Sequence, residues 1–189
     1  LAVQDTTSLD YSAHPATEML GPIAFTANGL IGLLVHDTIA FTVDGTPLGL
    51  LDVQCWARDP HDIGKKKRRH QLPIEHKESN KWLVSFRKLA QAQKRCPNTT
   101  LVSVGDREAD IYELFDLALK EESGPRLLVR AVQDRCLAEG QEHLWSTMAR
   151  QPACGVQEVR VPRRGRRAAR TARLDVRFAR VALKPPRDK

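Results

Sequence analysis

The sequence predicts a mixed α/β fold whose elements run βββ-α-β-α-β, followed by the beginning of a β-rich segment. Three observations carry this expectation. Two apolar, β-rich runs, 29–43 and 47–57, are joined by Asp44-Gly45-Thr46, and Asp-Gly between such runs is a strong hairpin signal. A helical stretch over 78–95 carries Trp82, Phe86 and Leu89 on one face at spacing i, i+4, i+7. Then Val102-Ser103-Val104-Gly105 runs directly into the acidic cluster Asp106-Arg107-Glu108-Ala109-Asp110, behind which Ile111, Phe115, Ala118 and Leu119 recur at helical spacing.

In order, Leu1-Ala2-Val3-Gln4 reads as the first strand, with Asp5-Thr6-Thr7-Ser8 at its end. Residues 10–28, rich in Gly, Pro, Ala and Thr, read as a loop to the hairpin, beside which the first strand lies. The Trp/Phe stripe of the long helix packs on the sheet as core, and Pro97 ends that helix. A strand over 99–105, a helix over 108–121, a Gly124-Pro125 turn and a strand over 126–132 complete the series. This is the order of the ribonuclease-H-like fold. Its fourth strand pairs parallel with its first, which would stand Asp5 and Asp106 side by side, with strands about 4.8 Å apart. The division expected is a core over 1–133 and an incomplete β-rich insertion over 134–189. In the latter, a helical piece near 142–150 leads to Val156–Pro162, and Ala172, Leu174, Val176 and Phe178 then alternate with Arg173, Asp175 and Arg177 as a half-buried strand does. The pair reads as a long hairpin with a basic tip.

Carboxylates at the carboxyl ends of neighbouring strands lie where open α/β sheets place their chemistry. Mg²⁺ takes oxygen ligands and is usually held by one or two carboxylates together with phosphate oxygens of the substrate. Asp5 and Asp106 are therefore the candidate metal ligands, with Mn²⁺ as the substitute ion. Each also admits a local reading: Asp106 as a helix N-cap, and Asp5 as the head of an Asx-turn.

Gly-Asp-Arg-Glu-Ala-Asp-Ile-Tyr at 105–112 closely resembles the box around the second catalytic acid in the DDE transposases of insertion sequence family four. Val-Gln-Asp-Thr-Thr-Ser-Leu at 3–9 resembles the box around their first acid, and His76-Lys77-Glu78-Ser79-Asn80-Lys81-Trp82-Leu83 resembles a third box between them. Trp56-Ala57-Arg58-Asp59-Pro60 and Leu128-Val129-Arg130 follow the same order, so the likeness covers nearly the whole chain. The resemblance implies a bacterial cytoplasmic protein working on the chromosome. It would cleave phosphodiesters at transposon ends and join the 3′-hydroxyl to target DNA by two-metal catalysis, with double-stranded DNA as partner and a homodimer in the DNA complex. It gives Asp5 and Asp106 the catalytic, metal-binding roles. Thr6 and Thr7 would either orient the first box or pack as a polar turn; Arg107 and Arg130 would either meet phosphate or stand as surface charge.

Composition agrees with a DNA partner. Of the net charge of +7, residues 155–189 hold twelve Lys/Arg against three acids, a net +9, and 1–154 are left with a net −2. Lys65, Lys66, Lys67, Arg68 and Arg69 form one basic run, and Arg163, Arg164, Arg166, Arg167 and Arg170 the other. Either run is solvated charge or a contact to phosphate. Hydrophobic content of 41% argues a globular chain, and no run approaches eighteen apolar residues, so no membrane partner is expected. Cys55, Cys96, Cys136 and Cys154 are far apart and are expected as reduced thiols.

The resembled family takes its third acid from a Tyr-x2-Arg-x3-Glu-x6-Lys pattern on a later helix. The two tyrosines here, Tyr11 and Tyr112, are followed three residues on by His14 and Phe115, so the pattern is absent. Glu108 shares a helix with Asp106 and Glu158 sits in the insertion, so neither replaces it. The sequence therefore reads as an excised piece with two thirds of an active site. Two other classes are compatible with it: a catalytically inactive DNA-binding or dimer-poisoning fragment, and a metal-dependent nuclease or phosphatase sharing the fold.

Overall fold

The computed structural model describes residues 1–14, 16–24, 29–62, 72–138, 140 and 142–186. They form two compact units, Leu1–Val132 and Gln133–Lys189. No helix among these residues is long and apolar enough to cross a membrane.

The first unit is a mixed sheet with helices on one face. Its strands are β1 (Ala2–Asp10), β2 (Gly21–Pro22), β3 (Ile31–Phe41), β4 (Pro47–Trp56), β5 (Val102–Gly105) and β6 (Arg126–Val129), and its helices are α1 (Asn80–Arg95) and α2 (Tyr112–Lys120). The order across the sheet is β4-β3-β1-β5-β6, with the two-residue β2 on the start of β3. The first three long strands pair antiparallel, and β5 joins β1 on one side and β6 on the other in parallel. The turn between β3 and β4 places Gly45 at φ 92°, in the region glycine favours, and closes with Thr42 N–H on the Thr46 carbonyl at 2.9 Å.

Trp82, Leu83, Phe86 and Leu89 of α1 are buried, and most of this stripe forms the core with Ala109 and Leu114. Leu127 and Val129 of β6 pack on that cluster, while Leu128 between them points to the other face and is 59% exposed. Gly105 is where strand, helix and corner meet: a Cβ there would stand 2.4 Å from Ala109 Cβ and 3.1 Å from the Trp82 ring. No larger residue fits without moving the corner.

Four boundaries differ from expectation, each for an identifiable reason. β1 does not end at Gln4; it pairs with β3 from Ala2 opposite Ala40 to Asp10 opposite Gly32, so Asp5 lies within a strand. The β-branched Thr6 and Thr7 suit that strand, and it is Asp10 that makes the terminating turn, accepting from Ser12 N–H at 2.9 Å. β5 begins only at Val102, because the Gln93 amide at the end of α1 donates to Thr99 O and accepts from Leu101 N–H. The helix expected over 108–121 is broken: a 3₁₀ turn covers Arg107–Ala109 and α2 starts at Tyr112. Between them the buried Asp110 carboxylate accepts from Val132 N–H at 2.7 Å. The same bond draws the chain off the sheet after Val129, which shortens β6.

The second unit holds α3 (Leu144–Arg150) and a hairpin of β7 (Gly155–Val161) and β8 (Arg170–Val176). Arg164 and Arg167 exchange backbone hydrogen bonds of 3.1 Å around Gly165, which sits at φ 59°. The hairpin with a basic tip is therefore present, but β8 is not half-buried. Leu174, Val176 and the following Phe178, 75% exposed, are open to solvent. Alternation gives the ribbon an apolar face, and nothing among the described residues covers it.

Candidate functional site

Two paired strands lead toward the predicted acids. β1 and β5 pair with Ala2 opposite Ser103 and Val3 opposite Val104; the same register extended two residues past the paired segment would set Asp5 opposite Asp106. Both side chains are exposed. Each uses one oxygen locally: Asp5 Oδ1 accepts from Thr6 N–H at 2.7 Å, and Asp106 Oδ1 from Glu108 N–H at 2.8 Å, capping the 3₁₀ turn. The cap reading of Asp106 is thus correct for that oxygen, and its other oxygen remains for a ligand. A third carboxylate, Asp37 of β3, lies directly across from Asp5 in the antiparallel register. Like charges so opposed are unfavourable in the absence of a cation. Only the long-range pairing of β1 with β3 reveals Asp37; nothing in its local sequence marks it.

Beneath these acids, on the helix face, runs a buried chain of neutral polar side chains. Thr6 Oγ1 lies 2.9 Å from His36 Nδ1, His36 Nε2 lies 3.3 Å from Gln4 Oε1, and Gln4 Nε2 donates to Ser103 Oγ at 2.8 Å. Because the Gln4 amide nitrogen serves Ser103, its oxygen accepts from His36 Nε2–H, and His36 Nδ1 accepts from the Thr6 hydroxyl. The chain crosses β3, β1 and β5, the strands that carry or lead into the three acids. The ladder between β1 and β5 is only two pairs long, so the Gln4–Ser103 bond is a strut holding the juxtaposition. His36 is buried, with its ring 4.6 Å from that of Trp82 in an edge contact. Burial, helped by the Lys81 charge and opposed by Asp5 and Asp52, pushes its pKa down to about 4. It is neutral at physiological pH, as the chain requires. The Thr6 hydroxyl is thus engaged beneath the strand by His36.

The central box is structural. Lys81 pairs with Glu108 at 3.0 Å and stands 5.9 Å from the ring centres of both Trp56 and Trp82. Arg58 binds Glu78 with both nitrogens of one edge and donates to Ile23 O at 2.9 Å. The Trp56–Pro60 and His76–Leu83 segments are thereby fastened to each other and to the acid corner.

The basic residues divide. Lys65, Lys66, Lys67, Arg68 and Arg69 lie outside the described residues. Arg163, Arg164, Arg166, Arg167 and Arg170 are all exposed at the hairpin tip, and Arg107 and Arg130 are exposed as well. Cys55, Cys96, Cys136 and Cys154 are free and exposed.

Asp5 and Asp106 offer hard, solvent-facing oxygen donors of the kind Mg²⁺ takes, and two carboxylates match the number it commonly uses. Among the described residues no group of three or more His, Cys, Asp or Glu side chains is placed to hold a metal ion. Tight binding by protein groups alone is therefore not expected; water and substrate phosphate would have to complete the shell. No protein-family model matches the chain.

Proposed function

We propose that this chain is part of the catalytic core of a DDE transposase, whose complete protein cleaves phosphodiesters at transposon ends and joins the freed 3′-hydroxyl to target DNA. The observation that carries the reading is the parallel pairing of β1 with β5, whose register, extended two residues, would align the acids of two transposase-like boxes. The strand order β4-β3-β1-β5-β6, antiparallel on one side and parallel on the other, supports assignment to the ribonuclease-H-like fold. Asp5 and Asp106 would hold Mg²⁺, or Mn²⁺ in its place. The ions would activate the attacking water or hydroxyl and stabilise the leaving oxygen. The chain's own part is to fix the two carboxylates through the Gln4–Ser103 strut and the Glu108 cap, and to supply phosphate contacts. The exposed arginines of the hairpin tip meet the backbone of double-stranded DNA, in a complex where the full protein acts as a homodimer. The setting is the bacterial cytoplasm, at the chromosome.

A second reading has its own support. With no third acid placed to hold a metal ion together with Asp5 and Asp106 among the described residues, this chain by itself binds DNA, or poisons dimers of the whole protein, without cutting. Incubation with supercoiled plasmid and Mn²⁺ separates the cases. Binding without nicking is expected of this chain. A longer protein that includes the downstream Glu helix is expected to cut, and to stop cutting on Asp5→Asn or Asp106→Asn. Cutting by the longer protein that survives both substitutions would refute the assignment.

A further inference from the structure

The second unit contains a group of side chains that the transposase reading does not use. Asp134, Cys136 and His143 sit in one backbone scaffold, where Cys136 and His143 face each other across an antiparallel bridge. That bridge is flanked by Leu137 N–H on Glu142 O and Leu144 N–H on Arg135 O, both 2.9 Å. On its other side the Cys136 carbonyl accepts from Lys184 N–H at 2.9 Å. Asp134 is fixed in turn by Trp145 N–H, which donates to its Oδ1 at 2.9 Å. Main-chain bonds, not mobile side chains, set the geometry.

The proton positions follow from the partners. His143 Nδ1 lies 3.0 Å from the carbonyl oxygen of Asp134, which can only accept. Nδ1 therefore carries the proton, and the lone pair of Nε2 faces Cys136 Sγ at 3.7 Å, within range of a thiol hydrogen bond. Asp134 Oδ2, 3.7 Å from Nδ1, stabilises the imidazolium that forms if the ring takes a proton. A nucleophile, a base in reach of it, and a third group orienting the base form the arrangement that activates thiols. The other thiols differ. Cys154 Sγ donates to Val176 O at 3.1 Å; no hydrogen bond to Cys55 or Cys96 Sγ occurs among the described residues.

We propose that Cys136 is an activated thiol and a modification site for soft electrophiles and small aliphatic disulfides. His143 Nε2 accepts the Cys136 proton and Sγ attacks one sulfur of the disulfide. The S–S bond breaks as the mixed disulfide forms, and the departing thiolate takes the proton from His143 to leave as a thiol. No further oxidant is needed. The site's exposure gives reagents access, as reactive cysteines require.

Timed labelling with iodoacetamide, read peptide by peptide by mass spectrometry on the intact chain, tests this. At pH 7 Cys136 should react about fivefold or more faster than Cys55 and Cys96, and Cys154 should be slowest. The excess should vanish in His143→Ala and shrink in Asp134→Asn, which keeps an oxygen for Trp145 N–H. Bis(2-hydroxyethyl) disulfide should give a mixed disulfide at Cys136 first. Should His143→Ala disturb folding, the unmodified protein still decides. In it iodoacetamide and the disulfide should both select Cys136 ahead of Cys55 and Cys96. Cys136 no faster than Cys55 and Cys96 toward either reagent would overturn the proposal.

Discussion

The two faces of the sheet at β1 have opposite characters, though one strand supplies both. Gln4 and Thr6 turn toward the helices, where His36 and Ser103 join them in a buried, neutral chain with its polar groups paired. Asp5, between them, turns the other way and meets Asp37 across the ladder, while the register with β5 on the strand's other edge leads toward Asp106. The covered face holds the strands in register through interactions complete within the protein. Among the described residues, no ion pair neutralises Asp5, Asp37 or Asp106 on the open face. Such a division is expected where a rigid support presents groups to a ligand.

The largest effect should come from removing the cover. Trp82→Ala takes away a buried ring in contact with His36 and is expected to cost about 3–5 kcal/mol in chemical denaturation. Next comes acid. His36 titrates near 4 when folded and near 6.5 when free, so the unfolded chain binds the proton more readily between those values. Stability is then fully present above about pH 6.5 and declines as pH falls toward 4, by roughly 3 kcal/mol in all. Denaturation of metal-free protein across that window should show the slope, and His36→Asn should remove most of it. Gln4→Leu, which orphans His36 Nε2–H and Ser103 Oγ, should cost about 1–3 kcal/mol.

The open face should behave in the reverse sense. Asp37→Asn relieves repulsion with Asp5 and is expected to stabilise the metal-free protein by roughly 0.2–1 kcal/mol. A loss instead would mean that Asp37 is already compensated, which would erase the contrast between the faces. The smallest stability change belongs to the hairpin tip. Replacing Arg163, Arg164, Arg166 and Arg167 should leave unfolding unchanged while flattening the salt dependence of DNA affinity by roughly two to four units of log–log slope. An unchanged slope would show that the tip is solvated charge.

Much of the covered face was legible in the sequence. The Trp82, Phe86 and Leu89 period announced α1, Asp44-Gly45 announced the hairpin, and the acid cluster after Val104 marked a corner. Those signals are local. The misjudged features were decided by distant partners: β1 continues through Asp5 because β3 is there to pair with it, and α2 starts late because Asp110 turns to Val132 N–H. Asp37 and His36 went unremarked for the same reason, since each acquires its meaning only from the strand opposite. In β8 the alternation identified a face correctly, but periodicity carries no information about what, if anything, lies against it. The two boxes directed attention to Asp5 and Asp106, whereas the polar chain beneath β1 was not visible in them.

The central claim is that Asp5 and Asp106 act as one divalent-cation site. Titrating Mn²⁺ into ¹⁵N-labelled protein and following paramagnetic loss of amide signals tests it most directly. The account predicts weak binding, with the first losses at residues around Asp5 and Asp106 together, and their disappearance in either Asp5→Asn or Asp106→Asn. Losses centred elsewhere, or around one aspartate and indifferent to the other, would contradict it.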